Sequence, residues 1–242
     1  MTPKPLILAV ETSSRIGSVA IALGEKLLAE TTFSTPIKHS AEIFPAIGGI
    51  LDQLGRNSGQ IEHIYISIGP GSFTGLRIAV TIAKSMHLAN NVKTIPVCTT
   101  DVIAANVIEL NSSSHETIAT IIDAKRSQFF VAVFQRTSDE RRATSDGFWK
   151  KTFPDSLMTA SQFLDRFAAA DKPIWLLGDG LLYYKDNFKA DGIRFLDEKY
   201  WSPRAANVHS IGWKKALAGQ FADPLALTPF YLRAPQVTIK PR

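Results

Sequence analysis

The sequence predicts a duplicated, two-lobed α/β fold, and three observations predict it. Leu6–Val10 is a short, fully apolar run of the kind that forms a buried strand. Ser18–Leu23 and Leu27–Phe33 follow it as two more strands around a turn at Gly24-Glu25, and helical and strand patterns then alternate. After a small polar stretch at Asn111–His115 a β pattern starts again at Thr117–Asp123, so the chain reads as two halves of similar βββαβα order. Residues 1–110 are expected to form an N-terminal lobe, and residues 111–242 a C-terminal lobe with an extended basic tail.

Each element has a local reason. The first strand ends in a polar turn, Glu11–Ser14. Ile43, Ile47, Ile50, Leu51 and Leu54 recur at helical spacing and predict a helix over His39–Leu54, with Pro45 near its first turns. Gly48 and Gly49 sit mid-pattern, where each costs about 1 kcal/mol relative to alanine. Such a pair needs a reason: close approach of another backbone, or a helix broken there. A strand-like run through Ile64, Tyr65, Ile66 and Ile68 then empties into a loop with glycines at 69, 71 and 75. Thr74–Asn90 follows as a helix that is apolar almost all round, through Leu76, Ile78, Ala79, Val80, Ile82, Ala83, Met86 and Leu88. A helix with so little polar face is expected to be covered on two sides. Thr94–Cys98 reads as a strand, and a further helix runs from Thr99 to about Leu110. In the second half, Thr117–Asp123 and Gln128–Gln135 read as strands around a turn at Ala124–Ser127, with a charged hairpin tip at Arg136–Ser145. Ala160–Ala170 and Arg204–Gly219 read as helices. Ile174–Leu177 reads as a strand ending at Gly178-Asp179-Gly180. Leu227–Arg242, with Pro229, Pro235 and Pro241, reads as extended.

Composition excludes some classes. Among 242 residues, 45% are apolar and 20% charged, which is ordinary for a globular chain rather than a disordered or fibrous one. The net charge of +5 suits RNA or an acidic partner and equally suits an ordinary surface. The single cysteine, Cys98, excludes an internal disulfide framework; in an apolar strand it reads as a buried structural thiol. Leu6–Val10 is too short for a signal sequence core or a membrane span, so the expected location is the cytoplasm, with no membrane contact.

Strand, glycine loop and helix start in succession form the arrangement that brings backbone N–H groups to an anion. Yet Gly69-Pro-Gly-Ser-Phe-Thr-Gly75 matches no catalytic loop. A Walker A loop needs lysine after its last glycine, and here Leu76-Arg77 follows. The third glycine comes one residue late for G-x-G-x-x-G, and Ser72 is not in a G-x-S-x-G elbow. What remains is a tight loop using glycine's freedom, with Ser72 or Thr74 capping the helix. The five histidines form no H-x-x-x-H or H-E-x-x-H pair, so no bound metal is expected. Glu11 and Asp123, each ending the first strand of its half, are placed for a phosphoryl-transfer cleft between lobes. Asp123, however, is followed by Ala-Lys-Arg rather than a glycine-rich turn.

Five segments in order, Leu6–Ser13 (LILAVETS), His39–Ile47 (HSAEIFPAI), Gly69–Ile78 (GPGSFTGLRI), Ile122–Lys125 (IDAK) and Pro229–Arg233 (PFYLR), resemble the TsaB family, also called YeaZ. The likeness spans nearly the whole chain, and the third segment is its most specific part. One departure is Glu11, where many relatives carry Asp; the Gly48-Gly49 pair is another. The resemblance implies an actin-like, sugar-kinase-like (ribonuclease H-like) two-lobed fold. It also implies a part in making N6-threonylcarbamoyladenosine at position 37 of tRNAs that read ANN codons. In that pathway TsaC makes threonylcarbamoyl-AMP, the metal-bearing TsaD transfers the group, and the ATPase TsaE supports turnover. TsaB resembles a non-catalytic paralogue that binds and supports TsaD. On this resemblance the chain is no enzyme and needs no cofactor, beyond weak or shared nucleotide binding. Its partners are TsaD, TsaE and, through the complex, tRNA, with a homodimer when alone.

The family's first-lobe helices pair with those of TsaD, which assigns the interface here to His39, Ile43, Ile47, Gly48, Gly49, Ile50 and Leu51 on one helix. The other helix contributes Ile78, Ala79, Ile82, Ala83 and Met86. A degenerate nucleotide cleft would comprise Glu11, Thr12, Ser13, Gly69, Gly71, Ser72, Thr74 and Gly75. An ATP-dependent small-molecule kinase of the same superfold is the alternative function; a peptidase would need a nucleophile–base pair or metal that cannot be placed. Arg141, Arg142, Lys150, Lys151, Arg233, Lys240 and Arg242 are candidate contacts to an RNA backbone, or simply solvated charges.

Overall fold

Six consecutive buried residues, Leu6–Glu11, make β1 the centre of the first sheet. The computed structural model describes residues 4–33, 39–107, 115–137, 149–169 and 172–232. After β1 come β2 (Gly17–Leu23), β3 (Lys26–Phe33), α1 (His39–Gln53), β4 (Ile61–Gly69), α2 (Phe73–Asn90), β5 (Lys93–Cys98) and α3 (Thr99–Ala104). The second half holds β6 (Thr117–Asp123), β7 (Gln128–Arg136), β8 (Trp149–Thr159), α4 (Ala160–Phe167), β9 (Ile174–Leu177), α5 (Leu181–Tyr184), β10 (Ile193–Phe195) and α6 (Ala205–Leu217).

The strand order is β3-β2-β1-β4-β5 in one sheet and β8-β7-β6-β9-β10 in the other. In each sheet the first three strands pair antiparallel and the last two join parallel to the central one. The same topology thus occurs twice, which is the duplicated α/β design of the actin-like, sugar-kinase-like fold. Registers are set by burial: Val10 faces Val19 on one side and Ile66 on the other.

Three apolar clusters fill the molecule. The first lies between the first sheet and the pair α1 and α2, through Leu8, Val10, Ile43, Ile47, Ile64, Ala79 and Ile82. The second covers the opposite face of that sheet, where Ala205, Val208 and Ile211 of α6 meet Ile7, Ala9 and Tyr65. The third is the core of the second sheet, rich in aromatic edge-to-face contacts such as Phe129–Phe188 at 4.9 Å. The expected division at residue 110 separates the two sheets but not the helices. α6 lies far beyond it and packs on the first sheet. α3 is shared, with Val102 in one core and Ile103 and Ala104 in the other.

Two strands and a helix escaped the sequence reading: β8, α5 and β10. β8 is an edge strand that carries Pro154 and is largely half-exposed, so its apolar alternation is faint. The predicted helix from Thr99 is shorter than expected, passing at Ala105 into a 3-10 turn that ends at Val107. The linker at residues 111–114 and the tip at 138–145 lie outside the described residues.

Candidate functional site

The glycine loop rests directly on the end of β1. Thr12 Oγ1 donates to the Gly75 carbonyl at 2.7 Å, and the Ser72 N–H donates to the Ser13 carbonyl at 2.7 Å. A Cβ on Gly75 would overlap the Thr12 carbonyl oxygen, and one on Gly71 would overlap that of Ser13. Gly69, at φ +119°, faces the Phe230 carbonyl of the returning C-terminal segment, whose N–H donates to Ile68 at 2.7 Å. These glycines therefore serve contact between backbones. Ser72 caps α2 by accepting from the Gly75 N–H at 3.2 Å; Thr74 sits exposed on the first turn.

Glu11 is fully buried. Its Oε1 accepts the Ser13 N–H at 2.6 Å and the Ser13 hydroxyl, and Oε2 accepts the Ser67 hydroxyl. Burial pushes its carboxyl above the usual range against the pull of these hydrogen bonds. The structure thus brings Glu11, Thr12, Ser13, Gly69, Gly71, Ser72 and Gly75 together, but as a closed joint. Both oxygens of Glu11 are engaged. Among the described residues no cluster of His, Cys, Asp or Glu is arranged to hold a metal ion.

In the second half, Asp123 accepts from the Lys125 N–H at 2.7 Å and from its ammonium at 2.6 Å. Lys125, Arg126 and Ser127 all have left-handed backbones, a costly turn for residues other than glycine. Asp179, in the loop after β9, is buried, and no donor among the described residues reaches its Oδ1. Burial, and then the neighbouring Asp123, push its carboxyl up to about 6. Arg15, after β1, donates to the Tyr183 hydroxyl of α5 in the second half. It also stacks on that ring, 4.8 Å from the centroid.

The predicted interface residues divide into two groups. Ile43, Ile47, Ile50 and Leu51 of α1, and Ala79, Ile82 and Ala83 of α2, point into the core of their own lobe. Their apolar periodicity marks the sheet-facing stripe, so these side chains are covered by their own lobe. Gly49 lies on the surface, Gly48 is half-buried, and a Cβ on either meets nothing within 4 Å. Ile78 and Met86 are half-buried at the edge of the core. The side chain of His39 lies outside the described residues. Two apolar residues on these helices that the sequence reading did not assign to the interface are far more open: Phe44 is 63% and Leu88 73% exposed. Burial, not periodicity, distinguishes them.

Of the basic candidates, Lys150 is exposed, whereas Lys151 is held by Asp101 at 3.0 Å and Asp155 at 2.7 Å. Lys151 is therefore not a free contact for RNA. Arg141, Arg142, Arg233, Lys240 and Arg242 lie outside the described residues.

A family model described as "TsaD: tRNA N6-adenosine threonylcarbamoyltransferase" matches residues 26–152, just over half of the chain. The tRNA threonylcarbamoyladenosine biosynthesis protein TsaB of Bacillus subtilis is 25% identical over 97% of this chain and 96% of its own length. Its Escherichia coli counterpart is 26% identical over 94% of each. A Pseudomonas aeruginosa protein described as similar to peptidase YEAZ superposes with a TM-score of 0.78 at 22% identity, over 95% of this chain and all of that one. A second Pseudomonas aeruginosa structure, titled YeaZ, gives 0.76 at 21% identity over 94% and all, respectively. These two superpositions carry the fold, and the family model and full-length relatives carry the kinship: the chain belongs to the TsaB (YeaZ) branch of the family that the TsaD model describes.

Proposed function

We propose that this chain is a support subunit, without catalysis of its own, in the formation of N6-threonylcarbamoyladenosine at position 37 of tRNAs that read ANN codons. Its partner is TsaD, with TsaE joining the complex and tRNA reached through it. The observation that carries the reading is the closed glycine loop. A phosphate site at a helix start needs open backbone N–H groups, whereas Gly71 and Gly75 are packed against the Ser13 and Thr12 carbonyls. The likeness to full-length TsaB relatives supports the pathway. No helix of the described residues is long and apolar enough to cross a membrane.

The docking face is the outward side of α1 and α2: Phe44, Gly48, Gly49, Ile78, Met86 and Leu88. Two surface glycines give a partner helix close backbone access, with exposed apolar side chains beside them. A standard interface buries about 800 Å² per partner, within reach of two helices of this length. Without TsaD the same face pairs with a second copy. The test is titration calorimetry of the chain with cognate TsaD and, separately, with Mg·ATP. Pairing with TsaD and no nucleotide heat supports the reading. Tight Mg·ATP binding by the isolated chain revives the kinase.

A further inference from the structure

We infer that a charge cluster centred on Lys151 clamps the two lobes, so that the chain behaves as one rigid platform rather than as a hinge that closes on a ligand. Lys151 and Asp155 stand on β8, the edge of the second sheet, and Cys98, Thr100 and Asp101 stand at the β5–α3 junction beside the first. Lys151 Nζ reaches Asp155 at 2.7 Å, Asp101 at 3.0 Å and Thr100 Oγ1 at 3.0 Å. Thr100 Oγ1 donates to Asp155 at 2.5 Å, and the Cys98 thiol lies 3.5 Å from the same carboxylate and 3.6 Å from Lys151 Nζ. The Cys98 links run from the first sheet to the second, and those of Thr100 and Asp101 tie the shared helix α3 to β8.

The cluster is not a surface ornament: the Lys151 side chain is 24% exposed and that of Asp155 12%. A half-buried ammonium between two carboxylates, with a hydroxyl completing its donors, holds only if all members stay in place. Two other ties flank it. Asn106, just after α3, donates to the carbonyls of Tyr200 and Ser202, both at 2.8 Å. Arg15, between β1 and β2, meets Tyr183 of α5. These contacts add to the links made by Lys151.

Cys98, the single cysteine, reports on the clamp from inside. Its alkylation by iodoacetamide, followed by mass spectrometry, is expected to run about 100-fold slower in the native chain than in the chain unfolded in urea at the same pH. Lys151→Met is expected to raise the native rate about tenfold or more. The sign of that change is informative. Burial, and then Asp101, hold the thiol up at about 11, and Lys151 opposes them. Removing the lysine therefore makes the thiol intrinsically less reactive, so faster labelling reports a gain in access rather than in reactivity. Lys150→Met, next along the strand and exposed, is the control and leaves the rate unchanged. Addition of Mg·ATP leaves the parent rate unchanged as well. The inference is overturned if the parent labels at the unfolded rate, a result that needs no variant to fold. It is also overturned if Lys151→Met, native by circular dichroism, labels no faster than the parent.

Discussion

Gly75 is the position where one methyl group decides most. A Cβ there runs into the Thr12 carbonyl, which is backbone and cannot swing aside. Gly75→Ala is expected to destabilise the chain by about 3 kcal/mol or more, read as a drop in the urea midpoint; a change below 0.5 kcal/mol, roughly what surface substitutions give, would mean the loop is looser than described. Asp179 carries the clearest pH signature. Its folded carboxyl is raised from the usual range to about 6, by burial first and Asp123 second. A raised carboxylate favours the folded state below its unfolded value and loses that contribution as pH rises through the folded value. Asp179→Asn, which cannot ionise and can still accept the Asp123 N–H, is therefore expected to gain about 1–3 kcal/mol over the parent at pH 7.5 and little at pH 4. Urea denaturation at both values checks this, and an equal loss at both would show that Asp179 is a structural acceptor instead. The histidines act in the opposite direction. Burial lowers His209, whose Nε2–H donates to the Gly24 carbonyl at 2.8 Å, and burial also lowers His63. Their stabilising share is present above 6.5 and falls away as pH drops below it.

At the scale of the element, α1 and α2 separate folding from docking. Ile82 is buried in the lobe, so Ile82→Glu is expected to cost about 3–5 kcal/mol of folding stability and reports on the core rather than on any partner. Gly48→Ala with Gly49→Ala is the sharper experiment. A methyl at either site meets nothing within this chain, so the double variant is expected to gain about 1 kcal/mol of stability per site from helix propensity alone. If the face docks against a partner helix, the same variant binds TsaD more weakly. A more stable variant that binds equally well would remove the glycines from the interface. The helical pattern of α1 was legible from its isoleucines, and so was the oddity of the glycine pair. What sequence periodicity left open was direction: an apolar stripe marks a covered face without saying whether the cover is the same chain or another. Phe44 and Leu88 are no more apolar than Ile82, and only the packed sheet shows that they point away from it.

At the scale of the molecule, the duplicated fold was legible because each half opens with a buried strand and a short polar turn, Glu11–Ser14 in one and Asp123–Ser127 in the other. The exchange between lobes was not. α6 crosses back to the first sheet and α3 serves both cores, and no local pattern records a contact between residues a hundred positions apart. The Lys151 cluster escaped for the same reason, since its members come from segments about fifty residues apart in sequence. The closed glycine loop, the outward faces of α1 and α2 and the clamped lobes are the features on which the proposed support role rests. The most direct test is an omit-one reconstitution: cognate TsaC, TsaD, TsaE, tRNA, threonine, bicarbonate and ATP, with and without this chain, with the modified adenosine quantified by mass spectrometry. Product that depends on the chain, and that persists when Glu11 is replaced by Gln in a variant still folded, is the predicted result. Equal product without the chain would contradict the account.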